Sequence, residues 1–595
     1  MKSNSKKLFT YFIAVPIVST VISITAFFLT KTGISTLELN SLQSNKVNSI
    51  SSKAYGSSII LTEGDTITAA AKKSYIFNEF DGMKDNRGRD IYTCGWKMLR
   101  YKDIGDDTVK SLIQSNGIDT SPLLVPIKLN GWFRVYIGYD EDTGAIRVKQ
   151  NSEDTYDLVG THNYGVYTPQ HGNQIITEKS SIIHNFTNDS LTIAPDYSQT
   201  VRIAYVKFVA LTATEIALYT KKDEGLEGNR IMYDFDGYSG FYSGKFYNSE
   251  TFDSKMVQPL AAKNIGEINW CLGTTGMLNY NSKYGGKALS NWGKYENQLR
   301  KGDKIARTNI LNILKTGKSP LEIIAASAEK QGVKVNASLR MDVFYNPAIY
   351  GFLNGSMYDK YKDCLQKGSF LMSYNSPKFR AYVENIFYEA VSIKNVDGIT
   401  LDFCRYPTVF GSETNPKDKI KIINSFIREL RKKIPKGKTI TVRIPYKNPE
   451  SYGFDPKTWI KEGLINTLVP SNIDIDDFFN VKSYVTMVKG SKVKLYIGIS
   501  ADVTGKDISK EQDDTLAGNF VDKKTYLSPH QYLERAYDIY SAGADGLFLF
   551  NTSESLLMNT QSLKETDSLG DKIKIQKWHM LYYNKPVITH KIYIM

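Results

Sequence analysis

Cysteine is scarce and scattered. Cys94, Cys271, Cys364 and Cys404 form no Cys-x-x-Cys pair, which argues against a zinc knuckle, a thioredoxin-like site and a disulfide-stapled scaffold. Histidine numbers 6, with no His-Glu-x-x-His and no His–carboxylate cluster, so neither a catalytic metal nor another cofactor is expected. A Gly-x-Ser-x-Gly nucleophile elbow is missing. No Gly-x-Gly-x-x-Gly follows a strand, which weighs against a dinucleotide fold. Arginine-rich stripes and Cys/His fingers are absent, so nucleic acid is not an expected partner.

What is present is a long chain with an excess of basic charge. Its 595 residues exceed one ordinary core and imply two or three domains. Apolar content of 41% and charged content of 23% describe a globular body. The net charge of +13 would suit an anionic glycan or wall polymer; a lysine-heavy composition gives the same balance. Residues 8–30, LFTYFIAVPIVSTVISITAFFLT, carry no charge and follow Lys2, Lys6 and Lys7. That run is long enough to span a bilayer, with the basic tip held in the cytoplasm. The expectation is an N-terminal transmembrane helix, a single-pass cell-membrane protein with its body outside the cell, and a secreted body if the segment is instead a cleaved signal.

Residues 31–84 are rich in Ser, Asn and Lys and read as a tether. Residues 85–225 change texture. GWFRVYIGY (131–139), AIRVKQ (145–150), SLTIAP (190–195), TVRIAYVKFVAL (200–211) and EIALYT (215–220) are short aromatic and β-branched runs between polar turns. They predict an antiparallel β-sandwich-like domain, with a short helical piece over 106–115. Over 226–556 the pattern becomes strand–helix alternation. Eight candidate strands, at 229–236, 265–273, 333–341, 397–405, 438–445, 464–471, 492–500 and 545–551, interleave with amphipathic stretches such as 320–332, 378–394, 419–434 and 528–543. This predicts an α/β chain with a (β/α)8, TIM-like barrel. Residues 557–595 are a C-terminal extension.

In such a barrel, function gathers where the strands end. The exits offer Asp234 and Asp236, Trp270, Arg340 and Asp342, Asp402, Arg405 and Tyr406, Arg443, Asn472, Asp502 and Asn551, with Tyr345 in a following loop. Asp402 stands out. A carboxylate at an inward rim position must be paired, hydrated or used, and Arg340, Arg405 or Arg443 could pair with it. Bond cleavage between sugars by the ordinary route needs two carboxyl groups. Asp342 or Asp502 could be the partner of Asp402, Asp342 being closer to its strand. No Glu occupies an exit; Glu267 lies early in its strand. The Asp-Gly entries at Asp397 and Asp545 read as structural.

The stretch VDGITLDFCRYP (396–407) resembles glycosyl-hydrolase-like TIM-barrel proteins related to glycoside hydrolase family 10. VKVNASLRMD (333–342), EGLINTLVPS (462–471) and GADGLFLFN (543–551) look like other strands of those barrels, and 131–139 with 200–208 like an accessory β-domain before them. Cys404 departs from the pattern. The resemblance implies a carbohydrate-directed, exported protein with a TIM-like barrel, Asp402 falling on the family's strand-end aspartate and Arg405 on its arginine. Together with the N-terminal run and the strand exits, the expectation is a surface-anchored glycoside hydrolase acting on an extracellular or cell-envelope polysaccharide. Asp402 with Asp342 or Asp502 would then supply acid, base or nucleophile, and Arg443 a clamp. The other exit residues, Asp234, Asp236, Trp270, Arg340, Tyr345, Arg405, Tyr406, Asn472 and Asn551, would contact the glycan. The alternative is a noncatalytic glycan-binding or envelope-structural protein on a degenerate barrel.

Overall fold

A computed structural model describes residues 58–595 except 161–170, 225–229, 262–264, 288, 343, 405, 474–479, 501, 505–524, 551–567 and 583–587. The chain divides into two compact units. One ends at Ala217 and takes back residues 584–595; the other is Leu218–Tyr583.

The larger unit is the expected barrel. Eight parallel strands close in sequence order: Ile231–Phe235, Ile265–Cys271, Lys334–Arg340, Gly398–Asp402, Thr439–Pro445, Thr467–Ser471, Lys494–Ser500 and Gly546–Phe550. Alternation sorts their side chains. Val335, Ala337, Leu339, Ile399, Leu401, Ile440, Val442 and Ile444 belong to the apolar layer shared with the helices. Helix Pro416–Lys433 buries Ile423, Phe426, Ile427 and Leu430 there, with Asn415 as its N-cap and three basic residues in its last turn. Ser319 and Glu322 form a capping box on helix Pro320–Lys330, and Ser528 and Gln531 one on Pro529–Ala542. The two Asp-Gly entries act alike. Asp397 accepts from Val335 N and Asp545 from Leu495 N, both at 2.9 Å, tying each strand start to its neighbour.

Inside the barrel the wall is divided. Met232, Val469, Phe548 and Phe550, with Tyr496, form an apolar cluster. Asn269, Asn336, Thr400 and Thr441 line the other side, joined to one another and to Glu267 by hydrogen bonds.

The smaller unit differs from a plain sandwich. An eight-stranded sheet runs from Ile59–Leu61 to Trp132–Asp140, and strand Arg202–Ala210 pairs with Trp132–Asp140 as well as with Val109–Ser115 and Ser74–Phe77. That extra pairing closes a mainly antiparallel barrel. Its wall includes the C-terminal strand Ile588–Ile594, between Trp96–Asp103 and Gly172–Asn185. A separate five-stranded sheet, built on Ile146–Gln150 and Leu191–Pro195, packs against its outside through Val135, Ile137, Val148, Ile193 and Phe208. A bulge between Ile203 and Tyr205 places Ala204 and Tyr205 together on the inner side. Gly138 makes room for that ring: a Cβ there would lie 2.3 Å from Tyr205.

Several expectations are corrected. Residues 109–115 are a strand, not a helix, and Ala213–Thr220 is a helix, not a strand. The N-terminal transmembrane helix is also corrected, and with it the membrane attachment and single-pass location. No helix among the described residues is long and apolar enough to cross a membrane, and residues 8–30 lie outside the described residues.

Candidate functional site at the barrel mouth

The strand register brings Arg340, Asp402 and Arg443 side by side. Arg340 pairs with Asp402 across the third and fourth strands, and Asp402 with Arg443 across the fourth and fifth. All three sit at inward positions near the C-terminal rim. Nη1 of Arg443 donates to both oxygens of Asp402, at 3.0 and 3.2 Å, and Cys404 N donates to Oδ1 at 2.9 Å. The pair is removed from solvent, with side chains 0% and 1% exposed. Arg443 also donates from Nε to Ser471 Oγ at 3.0 Å and from Nη2 to the Asn472 carbonyl at 3.3 Å. Its guanidinium lies 3.8 Å from the Phe550 ring centroid, and that of Arg340 lies 5.3 Å from the same ring. Phe550 is therefore a shared platform for two cations. Gly498 completes the arrangement: any Cβ there would collide with Ser471 Oγ, at 1.7 Å.

Asp234, at the end of the first strand, is held differently. It is buried, and its Oδ2 has no hydrogen-bond partner among the described residues. Burial pushes its carboxyl up to about 7; Arg340 pulls against that shift and Asp402 adds to it. Ser338 Oγ and Ser500 Oγ, also at inward positions, are buried and equally without partners among the described residues. Buried polar atoms of this kind ordinarily meet water or a ligand. Deeper in the barrel, Glu267 accepts from Asn336 Nδ2 at 2.8 Å, and burial takes its carboxyl up to about 7.

The other expected residues fall in several places. Asp342 turns into its following loop, accepting from Met372 N at 3.2 Å and Gln366 Nε2 at 3.4 Å. Burial raises its carboxyl well above the usual range. Asp236 caps a turn, accepting from Tyr238 N and Ser239 N at 2.8 Å. Trp270 points outward, stacked on Phe235 at 5.2 Å among Phe241 and Phe252, so it lines no mouth. Tyr345 is half-buried and tilts against Tyr350, its backbone tied to Asn354. Tyr406 is half-buried just past the fourth strand. Asn472 contributes its carbonyl. The side chain of Asp502 and residues Arg405 and Asn551 lie outside the described residues. Among the described residues no group of acidic, His or Cys side chains could hold a metal ion. Sequence reasoning missed Asn269, Ser338 and Phe550. The period-two alternation that points Asp234 and Asp402 inward would have found Phe550, two residues along from Phe548.

No family model matches the chain, and no curated protein does. Among solved structures, it resembles the C-terminal domain of a putative chitinase from Desulfitobacterium hafniense at 12% identity, over 58% of this chain and 98% of that one, with a TM-score of 0.33. It also resembles a Clostridium thermocellum xylanase module pair at 12% identity, covering 77% and 88%, with a TM-score of 0.29. A Bacillus megaterium spore cortex-lytic enzyme matches at 11%, over 57% and 73%, with a TM-score of 0.31. The resemblance to several glycoside-hydrolase folds is distant, is confined to the fold, and singles out no one family.

Proposed function

We propose that the chain acts on a carbohydrate at the C-terminal mouth of its eight-stranded barrel, by acid–base cleavage of a glycosidic bond. The observation that carries this reading is the contrast between two inward-facing carboxyl groups, on the first and fourth strands. Asp402 is held by Arg443 and by the backbone N–H of Cys404. Asp234, buried on the first strand, has its carboxyl pushed up to about 7 by burial, with the charge of Asp402 adding to the shift, and has an oxygen without a partner among the described residues. Such a reaction needs two carboxyl groups, one to donate a proton and one to act as base or nucleophile, and a carboxyl raised by burial suits the first role. In this scheme Asp234 is the acid. The partners weighed from sequence are less well suited: Asp342 is occupied by its own loop. The resemblance to family 10-related barrels, most specific in residues 396–407 and weaker in 333–342, 462–471 and 543–551, is the finer form of the reading.

The test is product release. The full chain, Asp402→Asn and Asp234→Asn are incubated with a panel of polysaccharides and amino-sugar oligomers and analysed by mass spectrometry. The expected result is oligosaccharide product from the wild type, reduced on the order of 100-fold or more in each variant. Equal turnover by wild type and variants removes both residues from the chemistry. A second reading, glycan binding without cleavage, is favoured by how fully Arg443 and Cys404 N engage Asp402. It predicts saturable binding with no product.

A further inference from the structure

The interior of the accessory barrel is apolar around Ile76, Tyr101, Leu112, Ile176, Ile592 and Ile594 and polar elsewhere. Small barrels are ordinarily filled by apolar side chains. Here strand Trp132–Asp140 sends Phe133, Val135 and Ile137 outward to the second sheet and leaves Arg134 and Tyr136 on the opposite face. Opposite them in register on strand Arg202–Ala210 stand Val209 and Lys207. Lys207 is neutralised by Glu178, at 3.1 Å, and Glu178 also accepts from Tyr205 OH at 3.0 Å.

At this end of the barrel lies a cavity of about 430 Å³, lined by Lys72, Arg134, Val209, Thr212 and Glu215 among others. It is large enough for one sugar or amino acid. Arg134 is 4% exposed. Its guanidinium contacts are long: 3.4 Å from Nη1 to Tyr136 OH and 3.5 Å from Nη2 to Glu215 Oε1. Its Nε has no partner among the described residues. Glu215 is already engaged, its Oε2 accepting from Thr212 N at 2.8 Å and Thr212 Oγ1 at 2.9 Å to cap helix Ala213–Thr220. Lys72 is exposed at the rim. It has φ +64°, a backbone region that few non-glycine residues adopt, and its N–H is strapped to the Ala210 carbonyl at 3.1 Å. Two cations thus face one carboxylate that is spent on a helix cap, and a single added negative charge would balance the cavity.

We propose that this end of the accessory barrel is a second ligand site, taking a carboxylate-bearing small molecule through Arg134 and Lys72. A planar carboxylate matches a loosely held guanidinium, and barrel mouths are frequent ligand sites. The inference stands apart from the reading of the barrel mouth and does not depend on it.

Calorimetric titration of the full chain with D-glucuronate, and with D-glucose as the uncharged counterpart, tests it. Glucuronate is expected to bind saturably, at least roughly tenfold more tightly than glucose, since its carboxylate alone can accept charge-assisted hydrogen bonds from the two cations. Lys72→Ala, at an exposed position, should weaken glucuronate about threefold. Arg134→Lys should weaken it roughly tenfold. Both residues belong to the accessory unit, so their substitution reports on this cavity and not on the larger barrel. Absence of saturable glucuronate binding, equal affinity for glucose, or wild-type affinity in both variants would each overturn the proposal.

Discussion

Among the described residues each barrel holds a fully buried arginine–aspartate pair, and by contact geometry the two are nearly twins. In the accessory barrel Arg202 Nη1 meets Asp140 Oδ2 at 3.0 Å, with side chains 1% and 0% exposed. In the larger barrel Arg443 Nη1 meets Asp402 Oδ2 at 3.0 Å, with 0% and 1%. What separates them is the company they keep. Arg202 donates on to Gln114 at 2.8 Å, and Asp140 closes a turn by accepting from Asp142 N. Arg443 lies over the Phe550 ring and shares its inward face with Asp234, whose Oδ2 has no partner among the described residues. A buried ion pair is therefore no sign of function by itself, because either barrel can hold one as architecture. The polar atoms left over beside it point to a ligand.

The comparison can be broken most strongly by removing the cations. Arg443→Ala and Arg202→Ala each strand a buried carboxylate and should each destabilise by about 3–5 kcal/mol in denaturant unfolding. If either change were silent, the two pairs would not be equivalent as structure.

A smaller effect separates Asp234 from both pairs. Its folded-state value of about 7 lies above the ordinary 3.8, so the native state binds that proton more tightly than the unfolded chain. Stability from this group is fully present below about pH 3.8 and is lost as pH rises to about 7. Asp234→Asn should therefore be more stable than wild type at pH 8, by on the order of 2 kcal/mol, with the difference fading by pH 4. Thermal melts at the two pH values check the sign. If Asp234 is the acid, activity should also fall as pH rises through about 7.

Gly138→Ala presses on Tyr205 without touching either ion pair and should lower stability by about 1–3 kcal/mol. The smallest change, Ser319→Ala, removes one half of a capping box on the outer layer and should reduce stability by about 1 kcal/mol, again by denaturant unfolding.

The barrel was legible because its outer faces obey two periods at once, strand alternation and helical amphipathicity, as in residues 396–403 and 416–433. The Asp402, Arg443 and Arg340 trio was legible because barrel topology turns strand ends into neighbours. Other features depended on non-local partners. Val109, Leu112 and Ile113 stand at helical spacing, yet pairing with Trp96–Asp103 makes them a strand. The closing strand Ile588–Ile594 finds its place only against segments hundreds of residues earlier. Some signals were present and outweighed. Thr212-x-x-Glu215 is a helix-start pattern that the apolar run behind it obscured. Trp270 shares the outward parity of Ile268, which already placed it away from the mouth. The state of Asp234 was illegible, because a carboxyl's protonation is set by burial and by charges on three other strands.

In the proposed reaction Asp234 and Asp402 flank a saccharide at the barrel mouth, Asp234 with an oxygen that has no partner among the described residues and Asp402 held by Arg443. A crystal structure of the chain soaked with an oligosaccharide tests it most directly. The account predicts a glycosidic oxygen within hydrogen-bonding distance of Asp234, with Asp402 still held by Arg443 and facing the same sugar. A saccharide bound with Asp234 out of reach, or a mouth left empty while sugar binds elsewhere, would contradict it.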